Sequence, residues 1–258
     1  MIRRVSVLRV NQSQQTTGID HVVEEAAVTI HLNGEEVVTL LCSPRNRDEL
    51  GAGFLFMQGI LREREELVRV EVDEEKGLVR VHSREGRPLA AHGLFKRVIG
   101  SSGGRGFQSG GDRPASEVAA GGGSFSAEAI MELAARFETA SEVYRLTGGV
   151  HSAALATEKE ILVFREDIGR HNAIDKIAGY CLMNGITTAD KLLFTTGRVS
   201  SEILSKAVRL GVPCLVSRAA PTSVAVAGAE ELGITLIGFV RSDRFSVYSR
   251  PDRVRMGG

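Results

Sequence analysis

Residues 191–217 read KLLFTTGRVSSEILSKAVRLGVPCLVS, and this stretch decides the fold. KLLFTT and VPCLVS are short, continuous apolar runs, as expected of strands covered on both faces of a sheet. SSEILSKAVRLG between them has the length and spacing of a helix. The order strand, helix, strand implies a right-handed crossover between parallel strands. Downstream the unit repeats with a helix SVAVAGAEELG (223–233) and a strand ITLIGFV (234–240). Upstream, VHSAALAT (150–157) and ILVFRED (161–167) are strands joined through Glu158-Lys159-Glu160. The helix NAIDKIAGYCLMNG (172–185) then sets Ile174, Ile177, Ala178, Cys181 and Leu182 on one face. These elements predict an α/β domain built on a largely parallel sheet.

The earlier part of the chain reads differently. AAVTIHLNGEEVVTLLC (26–42) predicts a β-hairpin, because Asn33-Gly34 supplies the positive φ angles of a tight two-residue turn. SPRNRDELGAGFLFMQGI (43–60) predicts a helix with Ser43 as N-cap, Pro44 in the first turn and Gly59 past its end. LVRVEV and GLVRVHS alternate around DEEKG and predict a second hairpin. Residues 100–124, GSSGGRGFQSGGDRPASEVAAGGGS, are nearly devoid of large apolar side chains and predict a mobile loop or linker. Helical spacing then resumes at Ile130, Leu133, Ala134, Phe137 and Ser141, with Ser126 as N-cap. The organisation expected is a β-hairpin-rich part over 1–99 with one helix, a Gly/Ser-rich loop over 100–124, and an α/β ligand-binding domain over 125–258.

Composition narrows the function. Lysines and arginines number 32, as do aspartates and glutamates. A nucleic-acid binder carries a basic excess, so that class is disfavoured, although local arginine clusters remain able to hold a small anion. No apolar run nears the ~20 residues of a membrane span. MIRRVSVLRV lacks the apolar stretch of a signal peptide, so the expected location is the cytoplasm, with no membrane partner. Cys42, Cys181 and Cys214 are too few and scattered for a disulfide framework, and none has metal-site spacing. Cys181 falls on the apolar face of its helix and Cys214 inside a strand, as small hydrophobes do.

In open α/β sheets, ligands sit beyond the carboxyl ends of the strands. Here ILVF is followed by Arg165-Glu166-Asp167-Ile168-Gly169-Arg170-His171-Asn172, and KLLFTT by Gly197-Arg198-Val199-Ser200-Ser201. CLVS is followed by Arg218-Ala219-Ala220-Pro221-Thr222-Ser223, and ITLIGFV by Arg241-Ser242-Asp243-Arg244. Each loop carries an arginine, and three open a helix whose free N–H groups favour an anion. Guanidinium forks match phosphate oxygens, and Gly169 and Gly197 allow close backbone approach. The plainer account is that single arginines cap helices or pair with Glu166, Asp167 and Asp243; four coincident loops weigh against it. His171 and Asp175 are four apart and share a helix face, so the carboxylate could orient the imidazole, or His171 is simply a hydrogen-bonded helix-start residue. His151 could line the same crevice or be structural. No residue is assigned a catalytic role, and no P-loop marks a nucleotide hydrolase.

The run from Thr147 to Pro251 resembles the formate dehydrogenase accessory family, FdhD/NarQ. The resemblance rests on TGGVHSAAL, FREDIGRHNAIDKIAGYCL, TTGRVSSEILSKAVRLGVP, SRAAPTSVAVAGAEELGITLIGFVR and FSVYSRP, and reaches into the N-terminal half through Leu32-Asn33-Gly34 and SPRNRDELGAGFLFMQGI. It implies a layered, cytidine-deaminase-like α/β domain, but not deaminase chemistry, whose H-x-E and P-C-x-x-C ligands are missing at His151 and Cys214. It also implies a sulfur carrier that takes sulfur from a cysteine desulfurase to the molybdenum cofactor of formate dehydrogenase, working as a homodimer. The implied ligand is the bis(molybdopterin guanine dinucleotide) cofactor or a guanine nucleotide. The stretch carried over to hold it is Phe239, Val240, Arg241, Ser242, Asp243 and Arg244. The residue-by-residue reading adds Arg170, His171, Gly197, Arg198 and Arg218. Family members carry a Cys-x-x-Cys pair after a Ser-Ser-like run, where this chain has Gly103 and Gly106 after Ser101-Ser102. Glycine supplies no thiolate for a persulfide, which leaves a non-catalytic cofactor chaperone as the alternative.

Overall fold

The computed structural model describes residues 1–84, 97–99 and 123–257, so most of the Gly/Ser-rich stretch read above as a loop lies outside the described residues. Two larger sheets organise the rest. The N-terminal sheet has the order β5-β6-β3-β4-β7, from β3 (Ala26–Leu32), β4 (Glu35–Cys42), β5 (Leu67–Asp73), β6 (Leu78–Ser83) and β7 (Arg97–Ile99). Both predicted hairpins are present: β3 pairs with β4 and β5 with β6, each antiparallel. Asn33 and Gly34 take φ values of 50° and 92°, which is why Asn-Gly stands at that turn.

The second sheet has the order β10-β9-β11-β12-β13-β14. Its strands are β9 (His151–Ala156), β10 (Ile161–Asp167), β11 (Leu192–Thr195), β12 (Cys214–Ser217), β13 (Thr235–Gly238) and β14 (Ser246–Ser249). The predicted crossovers make β11-β12 and β12-β13 parallel. The sheet is nevertheless mixed rather than largely parallel: β9 runs against both β10 and β11, and β14 against β13. Thr157–Glu160 is far too short to carry the dozen or so residues of a parallel crossover, so β9 and β10 had to form a hairpin. Because β9 opposes both its neighbours, β10 to β13 all point the same way and end at one edge.

Helices cover both faces. On one lie α4 (Arg170–Asn184), α5 (Ser201–Leu210) and α6 (Ser223–Glu231), sharing a core with Leu155, Leu193, Leu215 and Leu236. On the other, Ile130, Leu133, Ala134 and Phe137 of α2 (Ala127–Thr139) pack against Ala154, Phe194, Val216 and Ile237. Ser126 caps α2 as expected, but Ser141 lies beyond it and caps the short α3 (Glu142–Thr147). The alternating strand sequence sends successive side chains to the two cores.

The helix α1 (Arg47–Met57) joins the two halves. Leu50, Phe54 and Leu55 belong to the N-terminal core, while Gly53 meets Gly179 of α4 with no side chain between the backbones. A Cβ on Gly53 would stand 2.6 Å from the Gly179 nitrogen, and one on Gly179 2.6 Å from the carbonyl carbon of Glu49. Ser43 does not cap α1 as the sequence predicts. Asn46, at φ 55°, precedes α1, whereas Ser43 is fully buried; its N–H donates to Asp167 (3.0 Å) and its hydroxyl accepts from the Ile168 N–H (3.1 Å). A separate ribbon of β1 (Ile2–Val10) and β2 (Gln15–Val23), which the sequence reading did not predict, and a short parallel pair of β8 (Phe125–Ser126) with β15 (Val254–Arg255) complete the fold.

Candidate functional site

The carboxyl edge of β10 to β13 is built from four loops, and those after β11, β12 and β13 are laced by main-chain bonds. The N–H groups of Val199 and Arg218 donate to the carbonyls of Ala220 and Thr195, and those of Phe239 and Val240 to Ala219 and Ser217. Ser217 Oγ donates to the Gly197 carbonyl at 2.8 Å and accepts from the Ala219 N–H at 2.9 Å. Such lacing fixes the edge before any ligand arrives. Three helices start there, and α5 and α6 have hydroxyl caps from Ser200 and Thr222, while Gly169 leaves α4 without a side-chain cap.

The arginines of these loops fare differently. Arg165 is not at the edge: β10 continues to Asp167, and Arg165 points back to form a bidentate pair with Glu49 of α1 while lying over the Tyr180 ring. Arg170 takes its place as the first residue of α4. Its stem fills the space beside Gly197, so that glycine accommodates Arg170 rather than the close approach of a ligand expected above. Arg170 Nε is buried with no hydrogen-bond partner among the described residues. Arg198 is exposed and makes no hydrogen bond or ion pair among the described residues. Arg218 pairs with Glu138 of α2 at 2.6 Å, and Arg241 donates to the carbonyls of Arg218 (2.9 Å) and Val240 (2.7 Å), bridging two loops. Arg244 pairs with Asp243 at 3.0 Å in solvent, a weak contact that a stronger anion can displace. Ser242 is exposed and Val240 buried. Phe239 is 45% exposed and held at φ 54°, a conformation unfavourable for an aromatic residue and typical of functional positions.

Behind the edge lies a polar cluster. Asp175 does not orient His171, as the four-residue spacing suggested; it pairs with Lys206 of α5. The partner of His171 is Glu202, also from α5, at 3.0 Å from Nε2. Burial, then the nearby Lys206, Arg170 and His151, push the His171 pKa down to about 3. His151 Nδ1 sits 3.3 Å from Thr196 Oγ1, and burial followed by Arg170 also lowers its pKa. Deeper still, Lys176 and Asp167 form an ion pair at 2.7 Å with no exposure. Asp167 also accepts from Gly169 and Asn172, and Asn172 donates to the Leu41 carbonyl of the N-terminal sheet. Sequence spacing singled out the neighbourhood but missed these structural ties.

The thiols lie elsewhere. Cys42, Cys181 and Cys214 are buried, and burial pushes each pKa up to about 12. Cys181 borders a cavity of about 530 Å³ with Phe56, Arg64, Thr188 and Arg209, at the far edge of the sheet from the arginines. No cluster of metal-ligating side chains occurs among the described residues, and none of their helices is long and apolar enough to cross a membrane.

These features define a mixed α/β protein whose cations and helix N-termini gather at one sheet edge, an arrangement suited to phosphate. Residues 23–255 match the FdhD/NarQ family model. The chain is 42% identical over 253 residues to the sulfur carrier protein FdhD of Bacillus subtilis, covering 96% of each. It is 38% identical over 250 residues to that of Staphylococcus aureus strain MRSA252, covering 96% of this chain and 94% of that one. A crystal structure described as a candidate formate dehydrogenase accessory protein from Desulfotalea psychrophila matches with a TM-score of 0.80 at 25% identity, over 98% of this chain and 99% of that one. The chain belongs to the FdhD/NarQ family.

Proposed function

We propose that this protein is a formate dehydrogenase maturation factor that holds the bis(molybdopterin guanine dinucleotide) cofactor, or a guanine nucleotide part of it, at the arginine edge. The observation that carries the reading is the convergence of Arg170, Arg198, Arg218 and Arg241 from four loops at one edge, three of them laced together. Phe239, exposed in its strained conformation, offers a face for a planar base, and Arg241 to Arg244 offer donors for phosphate. In this reading the cofactor supplies the molybdenum chemistry, while the chain binds and orients it. Formate dehydrogenase and a cysteine desulfurase are the partners, and the working unit is a cytoplasmic homodimer.

Calorimetry with guanosine diphosphate tests the site. The full chain is expected to bind, and Arg198→Ala to weaken binding about tenfold through loss of one charge-assisted contact. Arg241→Ala is expected to weaken it further, because that side chain also ties two loops together. Absence of binding by either the nucleotide or the intact cofactor would remove the reading.

Sulfur transfer is a separate matter. The relatives are called sulfur carriers, but a protein persulfide requires an accessible thiolate. Gly103 and Gly106 carry no thiol, and all three cysteines of the chain are buried with raised pKa values. The reading favoured is therefore cofactor holding without a persulfide on this chain. Incubation with a cysteine desulfurase and radiolabelled cysteine is expected to leave no sulfur on the protein. Retained label that disappears in Cys42→Ala, Cys181→Ala or Cys214→Ala would overturn this half of the proposal.

A further inference from the structure

The two helices that begin at the arginine edge, α4 and α5, end beside one cavity at the other side of the sheet, and α1 ends there too. Its volume of about 530 Å³ falls in the range that encloses a small organic ligand. The floor is apolar and consists of Phe56, Ala178, Cys181, Leu182, Ile186 and Leu210. Arg62, Glu63 and Arg64 stand exposed at the rim, and Arg209 is buried in the wall. Helix C-termini alone would favour a cation. Here their carbonyls are already occupied. Arg209 Nε donates to the Phe56 carbonyl at 2.6 Å, and Arg64 Nε to that of Met183 at 3.0 Å. Thr188 Oγ1 donates to the Leu210 carbonyl at 2.5 Å, and the Ile186 N–H to that of Cys181 at 2.9 Å. The Arg209 guanidinium also lies over the Phe56 ring, 5.4 Å from its centroid, so it is fixed before any ligand enters. Arg64 Nη1 donates to the Leu67 carbonyl at 3.2 Å, which leaves Nη2 without a partner among the described residues. Three guanidiniums thus outweigh the one carboxylate, above a floor that offers only apolar contact.

We propose that this cavity binds a small monocarboxylic acid with an apolar chain, of the size of octanoate, its carboxylate at Arg64 and its chain on the floor between Phe56 and Leu182. A guanidinium fork matches a carboxylate, and Arg64 has a donor to give. Glu63 at the rim disfavours a second negative charge on the ligand, and the floor cannot hydrate one. An alkylammonium would meet the arginines instead of a counter-charge. A neutral alcohol fills the floor equally well but forgoes the charge-assisted contact. The occupant would touch Phe56 and Arg64 from the N-terminal half and Cys181, Leu182 and Leu210 from the other, so it would also fasten the seam between them. This site is independent of the phosphate reading of the arginine edge.

The test is calorimetric titration of the full chain with octanoate, octanol and octylammonium at matched ionic strength. Octanoate is expected to bind about tenfold more tightly than octanol, and octylammonium more weakly than either. Shortening the acid toward butanoate is expected to weaken binding about threefold for each methylene removed. Position is read separately. The chain has no tryptophan, so Thr187→Trp, an exposed rim position, places a single fluorophore at the cavity mouth. Its emission is expected to shift with octanoate and to stay unmoved by inorganic phosphate. Arg64→Gln removes the charge while keeping a side-chain donor, so it is expected to lower octanoate affinity to that of octanol and to leave octanol unchanged. Absence of octanoate binding, equal affinity for octanoate and octylammonium in the native chain, or octanoate binding that leaves the Thr187→Trp emission unmoved overturns the proposal.

Discussion

Gly179→Ala is expected to destabilise the protein by more than about 3 kcal/mol, enough to unfold a large fraction of it at physiological temperature. The reason is geometric. α1 and α4 cross at Gly53 and Gly179, where a Cβ on Gly179 would overlap the Glu49 carbonyl group and stand 2.9 Å from the Glu49 Cα. Those atoms belong to backbone and cannot rotate away as a side-chain tip would. The helices would have to separate, and α1 would lift from α4 while still bound to the N-terminal core. Gly185→Ala provides the comparison. Gly185 ends the same helix at φ 63° with nothing near its Cβ position, so the cost is backbone strain alone, about 1 kcal/mol. Thermal or denaturant unfolding of both variants measures the difference. Equal losses would mean that the crossing is not a close backbone contact.

Lys176→Met carries the second large effect, about 3–5 kcal/mol. Removing the ammonium leaves the Asp167 carboxylate buried with no counter-charge, although Ser43, Gly169 and Asn172 still donate to it. Such a carboxylate is far costlier alone than paired. Adding Asp167→Asn to Lys176→Met removes the charge and is expected to recover part of the loss. A double variant as unstable as the sum of the single ones would show that the two groups do not interact.

The contrast between these sites and the arginine edge shows what could be read from the chain. Strand-helix alternation from Leu192 to Gly238 was legible because each run is bounded and its apolar period is local. The Asn33-Gly34 hairpin was legible because two adjacent residues fix their own φ angles. The mixed character of the sheet was present in the brevity of Thr157–Glu160, a cue outweighed by the crossovers that followed. Four arginine-bearing loops at one edge were visible from strand direction alone, but the destinations of the guanidiniums were not. Arg165 turns to Glu49, which is 116 residues away, and His171 turns to Glu202 across a helix interface. Spacing reports which face a residue occupies, not which distant element packs there. The β1-β2 ribbon went unread because Arg3, Arg4 and Arg9 interrupt its apolar alternation.

The seam between the halves also imposes a timetable on synthesis. Leu41 must wait for Asn172, 131 residues later, before its carbonyl receives that amide, and Gly53 must wait for Gly179. At about 5–20 residues per second on the ribosome, that interval lasts on the order of ten seconds. Throughout it the nascent N-terminal sheet has α1 over one face, while the side of α1 destined for α4 is still uncovered. A translational pause before residue 179 would lengthen that exposure.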